Sequence, residues 1–249
     1  MNYRGTIAYR TNLGGKVDEG FLHSVVMAWD FLLKRSVEGS IREGRECLAE
    51  PDYSFHFMRG LSCEPAESAN QIAETFLGDW VLMLDTDHVF GSDAFYEMIM
   101  TFEENHLDVL VGFTQKRVYP YHPVIYKTKF DPLVDFETIF PNPLERQRLI
   151  PIDSSGAACL MVSRKMFSAI KERFREKPFD RRPKFTFGWP VPKDRLNTET
   201  FGEDTSFFWR VHMLGIQAFC APWVKFHHLA MVLVDETMIA KTLAPQIPE

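Results

Sequence analysis

No Cys-x-x-Cys spacing, no long apolar run and no excess of basic charge occurs in these 249 residues, and each absence removes a class of function. The four cysteines, Cys47, Cys63, Cys159 and Cys220, are scattered, which argues against a zinc knuckle and a disulfide framework. They read as reduced, mostly buried thiols. No apolar stretch reaches the roughly 20 residues that cross a bilayer, so no membrane span is expected. The opening MNYRGTIAYRTN has no signal-peptide apolar region, and a cytoplasmic protein is the expectation. A net charge of −6 gives no general attraction to phosphate backbones. The strip Arg181 to Lys184 is a local basic exception. Internal repeats and low-complexity tracts are missing as well.

What is present fits an ordinary globule. Hydrophobic residues make up 45% and charged residues 25%, enough to build a real core, and the length suits one large α/β domain or two small ones. Thr6 to Tyr9 reads as a short strand before a glycine-containing turn. From Asp18, a plausible N-cap, apolar residues at Phe21, Leu22, Val25, Val26, Trp29, Leu32 and Leu33 follow a helical period. YSFHFM from Tyr53 predicts a second strand. A helix over about Ala66 to Leu77 follows, stopped by Gly78. WVLML is then a continuous apolar run of the kind found in a central parallel strand covered on both faces. Strand, helix, strand, helix, strand is the grammar of a doubly wound sheet, with ligands bound beyond the carboxyl ends of its strands.

Further along, the pattern predicts a helix over Ser92 to Glu104, a strand from Asp108, and extended strands and loops from Gln115 to Ile150. A strand near AACLMVS leads into a helix over Arg164 to Phe174. REKPFDRRPKFTFGWPVPKDR reads as a mobile loop or lid rather than a domain linker, because no independent core follows it. A last helix over Glu203 to Leu214 stops at Gly215, and two short strands, QAFCA and WVKFH, come after it.

The informative stretch is GDWVLMLDTDHVF, in which a buried strand runs straight into Asp85, Thr86, Asp87 and His88. Two carboxylates one residue apart raise one another's pKa, and a divalent cation relieves the repulsion. Hard oxygen ligands suit Mg²⁺ or Mn²⁺, which complete their shells with water and substrate phosphates, so a diphosphate-bearing substrate is the natural partner. GEDTSFF alone is an ordinary helix N-terminus, where acidic residues favour the macrodipole. His88 alone is a turn residue.

Taken in order, GDWVLMLDTDHVF, SSGAACLMVSR, FGEDTSFFWRVHMLG and PWVKFHHLA resemble the GT-A fold glycosyltransferases, most like glycosyltransferase family 2. The resemblance spans roughly residues 5 to 230. It implies an α/β, Rossmann-like domain over 1–230, with a nucleotide-sugar half at 1–114, an acceptor half at 115–230 and a tail at 231–249. The central sheet would be mostly parallel and flanked by helices. Asp87 would coordinate the metal bridging the donor diphosphate. Asp85 would belong to the same group, reaching the ribose or a metal-bound water. A histidine after the last strand would complete the set, and His228 matches better than His227 although Ala230 replaces the usual glycine; His88 is a rival. The family's catalytic base falls on Asp204, with Glu203 second. Thr11 and Asn12 would hold base and ribose, Asn70 matches the asparagine of an Arg-Asn pair whose arginine is replaced by Ala69, and Ser155 and Gly156 would lie near donor sugar and acceptor. The aromatics Tyr119, Tyr121 and Trp189 could stack on sugars or bases.

The resemblance thus implies transfer from a nucleotide-diphosphate sugar, UDP-linked by preference or GDP-linked, with Mn²⁺ or Mg²⁺. The acceptor is a hydroxyl on a protein, saccharide, small molecule or modified nucleobase, and inversion is the expected outcome. Two alternatives stay open. One is a haloacid-dehalogenase-like phosphatase with Asp85 as nucleophile, weakened because that motif normally opens the first strand of its fold. The other is a carbohydrate- or sugar-nucleotide-binding protein without turnover. A sugar-nucleotide pyrophosphorylase would need a glycine-rich signature that LGGKVDEG does not supply.

Overall fold

The computed structural model describes residues 4–11, 17–42, 55–60, 64–117, 121–130, 135–142, 148–182 and 201–229, with the side chains of 36–42 outside that description. The expectations at Asn12, Tyr119, Trp189, Cys47, Cys63, Lys184 and the tail at 231–249 therefore fall outside the described residues.

Seven strands form one path in the main sheet. In spatial order they are β2 (Phe55–Gly60), β1 (Gly5–Arg10), β3 (Trp80–Asp85), β10 (Cys159–Ser163), β5 (Val109–Thr114), β11 (Ala218–His228) and β4 (His88–Phe90). β8 (Ile150–Ile152) pairs with β11 off this path. β2, β1, β3, β5 and β11 run in one direction, while β10, β4 and β8 oppose them. The sheet is thus mostly parallel, the α/β architecture that the resemblance implied. A separate small sheet joins β7 (Asp135–Thr138) and β6 (Ile125–Lys129), both within the stretch expected to be extended, to β9 (Ser154–Ser155) just beyond it.

Alternation along the strands divides the core. Ala8, Val81, Met83, Val109, Val111, Leu160 and Val162 face α2 (Pro65–Thr75), α4 (Arg164–Phe174) and α5 (Glu203–Met213). Ile7, Leu82, Leu84, Leu110 and Met161 face α1 (Glu19–Arg42) and α3 (Ala94–Glu104). Both faces being covered explains why WVLML carries no polar residue. Asp18 caps α1 as expected, its Oδ1 accepting the Gly20 N–H at 2.7 Å. Gly78 has φ +86, and a Cβ there would sit 2.5 Å from the Arg4 backbone, so only glycine makes this turn.

Three expectations need correction. His88 is in a strand, not a turn, because β4 returns at once to pair with the end of β11. The central strand β3 has a parallel neighbour on one side only, since β10 lies antiparallel on the other. QAFCA and WVKFH are one strand with a register shift between Ala221 and Lys225, where Pro222 lacks the N–H that a ladder needs.

Candidate active site

The parallel strands bring Arg10, Asp85, Thr114 and His228 to the same edge of the sheet, as strand ends in such sheets should be. The start of α5 meets them there with Glu203 and Asp204. Between them lies a cleft of about 230 Å³, lined by Arg10, Thr11, Asp85, Thr86, Asp87 and Asp204, with Glu203 and Arg117 at its walls. A larger cavity of about 800 Å³ between α2 and α4 is lined by none of the residues singled out from the sequence.

One side of the cleft carries a group fit for a cation. Asp87, His88 and His228 each direct a ligand atom so that all three lie within 4.8 Å of one another. The β4–β11 register sets His228 directly opposite His88, and their rings stand 3.9 Å apart. His228 Nδ1 lies 2.6 Å from the Gln115 carbonyl, to which it donates in the neutral tautomer that contact selects. His88 Nε2 lies 3.3 Å from Thr114 Oγ1. Each imidazole thus has one nitrogen occupied by the protein and the other turned toward the group, as metal-binding histidines require. Asp87 Oδ1 and His88 Nδ1 are 2.8 Å apart, yet neither makes a hydrogen bond and both atoms are buried. Burial lowers His88 to about 4, against the opposing pull of Asp85. Burial, His88 and Arg117 together lower His228 to about 4. Both rings are neutral at pH 7, so the short Asp87–His88 contact is not an ion pair, and Asp87 Oδ1 and His88 Nδ1 face one space. That donor set fits a divalent cation, and two nitrogens with one oxygen suit Mn²⁺ better than Mg²⁺.

Asp85 stands outside this group. The β1–β3 register puts Arg10 directly beside it. Arg10 Nε and Nη2 reach Asp85 Oδ1 at 2.7 and 2.6 Å. The like-charge problem visible in the sequence is thus relieved at Asp85 by an internal guanidinium. Arg10 is only 9% exposed, and its Nη1 lies 3.9 Å from Glu203 Oε1. Burial opposes its charge, but Asp85, Asp204 and Glu203 outweigh that and raise its pKa.

Asp204 is strongly altered by its surroundings. Burial pushes its carboxyl up to about 7; Arg10 pulls the other way, and Glu203 and Asp85 add to the rise. Its Oδ1 is buried without a hydrogen-bond partner. A carboxylate titrating near neutrality, with an oxygen unspent, has the properties of a general base. Glu203 is tied to Arg181 at 3.5 Å as well as to Arg10. Gly156 leaves room beside the base, since a Cβ there would lie 4.0 Å from Asp204 Oδ2.

The remaining residues divide. Thr11 and Thr86 line the cleft. Ser155 is turned to the backbone, donating to the Val124 carbonyl at 2.8 Å. Asn70 does not line the cleft. Its amide donates to Asp180 at 2.9 Å and its carbonyl accepts from the Phe179 N–H at 2.9 Å, which ties α2 to residues 176–182. His227 is exposed and lines a different hollow beside Trp223. Arg10 and Arg117 were not anticipated. The signal for Arg10 was a lone charge closing an apolar strand, but only strand register could give it a partner.

Among solved structures, the chain is similar to GalNAc-T7 with UDP, GalNAc and Mn²⁺, at TM-score 0.51 and 10% identity, covering 92% of this chain and 43% of that one. Lower scores relate it to 4-diphosphocytidyl-2C-methyl-D-erythritol synthase from Anaerococcus prevotii (TM-score 0.40, 12% identity, 94% and 92% of the two chains). The inositol-1-phosphate CTP transferase from T. maritima is similar at the same level (TM-score 0.46, 9% identity, 96% and 95%). No family model matches the sequence, and no curated sequence is similar to it. The likeness lies in the fold, a GT-A type α/β fold with a large, mostly parallel sheet flanked by helices. The chain spans less than half of GalNAc-T7. Among the described residues no helix is long and apolar enough to cross a membrane.

Proposed function

We propose that this protein is a metal-dependent glycosyltransferase that moves a sugar from a nucleotide-diphosphate donor to an acceptor hydroxyl with inversion. The observation that carries the proposal is the division of labour at one cleft: Asp87, His88 and His228, whose ligand atoms lie within 4.8 Å of one another, and a separate half-buried carboxylate, Asp204, raised to about 7.

In this reading Asp204 takes the proton from the acceptor hydroxyl as its oxygen bonds to the anomeric carbon, and Glu203 shares the local negative field. The bond from that carbon to the diphosphate oxygen breaks, and its electron pair leaves with the diphosphate. A divalent cation held by Asp87, His88 and His228 would act as Lewis acid toward the leaving group. Arg10 holds Asp85 in place and keeps the carboxylates around the base from repelling one another. Thr11 and Thr86 line the wall offered to the nucleotide, and Gly156 leaves space for the acceptor. Mn²⁺ is preferred over Mg²⁺ because two of the donors are imidazoles. UDP is the favoured base, as in the GalNAc-T7 structure, with GDP second. The acceptor class is a protein, saccharide, small molecule or modified nucleobase. One domain over 1–230 and a cytoplasmic location complete the proposal. A phosphatase with Asp85 as nucleophile is disfavoured, because that carboxylate is held by two nitrogens of Arg10.

The test is calorimetric titration of UDP and GDP with Mn²⁺ and then with excess EDTA, on the wild type, Asp87→Ala and Asp204→Asn. Binding should require Mn²⁺ and Asp87 and survive Asp204→Asn, which should abolish transfer. Equal loss of nucleotide affinity in both variants would contradict the separate roles.

A further inference from the structure

Arg117 follows β5 and belongs to neither the cation group nor the base. Its Nη2 pairs with Asp87 Oδ2, the second oxygen of the carboxylate whose Oδ1 faces His88. It lines the cleft, and its side chain is 56% exposed, so it is free to rotate away from Asp87 without uncovering core. Its charge also bears on His228, disfavouring the protonated ring. One exposed cation therefore acts on two of the three residues that would hold a metal. The chain around it is anchored: the Lys116 N–H donates to the His122 carbonyl at 2.9 Å, and the Gln115 carbonyl meets His228 Nδ1 at 2.6 Å.

We infer that Arg117 is an exchangeable counter-ion: it competes with the divalent cation for Asp87 and, once displaced, donates to the diphosphate that arrives with the metal. The inference rests on the metal-dependent reading above. A guanidinium matches phosphate oxygens with paired donors, which an ammonium does not. Two cations share one carboxylate in sequence, so the diphosphate is met by a positive charge already at the rim. Arg117 thereby makes metal and nucleotide binding mutually supportive, because a diphosphate offers Arg117 an alternative to Asp87.

Two measurements on the intact protein separate the roles: free Mn²⁺ followed by electron paramagnetic resonance without nucleotide, and UDP affinity, with GDP in parallel, at saturating Mn²⁺. Arg117→Gln should bind Mn²⁺ about fivefold more tightly than the wild type, the size of one partly solvated ion pair removed. The same variant should bind the nucleotide roughly tenfold more weakly, for loss of a charge-assisted contact. Arg117→Lys should keep the weak Mn²⁺ affinity and recover only part of the nucleotide affinity. A purely structural arginine would not strengthen metal binding when removed. Unchanged or weaker Mn²⁺ affinity in Arg117→Gln, with Asp87→Ala still abolishing Mn²⁺ binding, overturns the competition and leaves the metal site standing. Tighter Mn²⁺ with unchanged UDP and GDP affinity overturns the diphosphate contact. Absence of Mn²⁺ binding in both the wild type and Arg117→Gln defeats the metal-dependent reading itself.

Discussion

Asp204 and Asp87 are both aspartates at the mouth of one cleft, and their surroundings make them chemically different. Asp204 is half-buried with a buried, unspent oxygen, and desolvation lifts it to about 7 although Arg10 opposes the rise. In an unfolded chain its pKa would be about 3.9. Between those values the folded protein binds a proton that the unfolded chain does not, so the Asp204 contribution to stability is fully present below about 4 and lost as pH rises toward 7. Asn cannot titrate, and its carbonyl can still accept the Ala157 N–H that bonds the native carboxylate. The melting temperature of Asp204→Asn minus that of the wild type should therefore become more positive from pH 5 to pH 8. Thermal melts at the two pH values check this, and a constant difference would show that Asp204 titrates normally in the fold. His88 and His228 have the opposite sign. Their folded pKa values are depressed to about 4, so their contribution to stability is present above about 6.5 and lost as pH falls toward 4.

At the scale of elements, the site depends on how strand ends and one helix start are tied together. β4 is three residues long, yet its pairing with β11 gives His88 and His228 their mutual position. α5 carries Glu203 and Asp204 on its first turn, and its far side is clamped to residues 176–182. Arg210, fully buried, donates to the Pro178 carbonyl at 3.0 Å and to Glu176 at 2.6 Å, while Phe179 stacks on Phe207 at 4.9 Å. Asn70 holds the same segment from α2 through Phe179 and Asp180. Its role in the structure is therefore a tie between elements. Asn70→Ala should cost about 1–3 kcal/mol in chemical denaturation, for the buried Phe179 N–H left without this partner and the loss of the contact to Asp180 Oδ1. Its metal-dependent UDP affinity should equal that of the wild type. A selective loss of UDP affinity without loss of stability would restore Asn70 to the nucleotide site.

The whole molecule is a mixed sheet with a separate hydrophobic layer on each face, and the cleft lies where the sheet's edge meets α5. Ile7 belongs to the layer under α1 and α3, and Ile170 to the layer under α2, α4 and α5. Both are fully buried. Ile7→Val and Ile170→Val should each cost about 0.5–1.5 kcal/mol. Because the sheet separates them, their costs in the double variant should add within about 0.5 kcal/mol. Denaturant unfolding of the four proteins measures this, and a larger discrepancy would mean that the layers communicate through the sheet.

Much of this was legible in the sequence, because it depends on short-range patterns. The apolar run at 80–84, the helical period after Asp18 and the helix over Arg164 to Phe174 each reflect a local periodicity that burial on a sheet enforces, whereas the helix expected to run to Gly78 ends at Thr75, where Phe76 turns extended. The strand-then-acid junction at Asp85 and Asp87 and the acidic helix start at Glu203 and Asp204 were visible for the same reason. Partnership across the chain was not. Asp85 and Asp87 look alike in the sequence, but strand register gives Arg10 to the first and a hairpin return gives His88 and His228 to the second. Asn70 matched a nucleotide-binding pattern, yet packing against residues 176–182 turned both of its polar groups inward. The sequence alone determined which residues end strands and begin helices, since those depend on neighbours a few positions away. Only the tertiary structure decided which charge meets which, because register and burial are set by residues tens to a hundred positions apart.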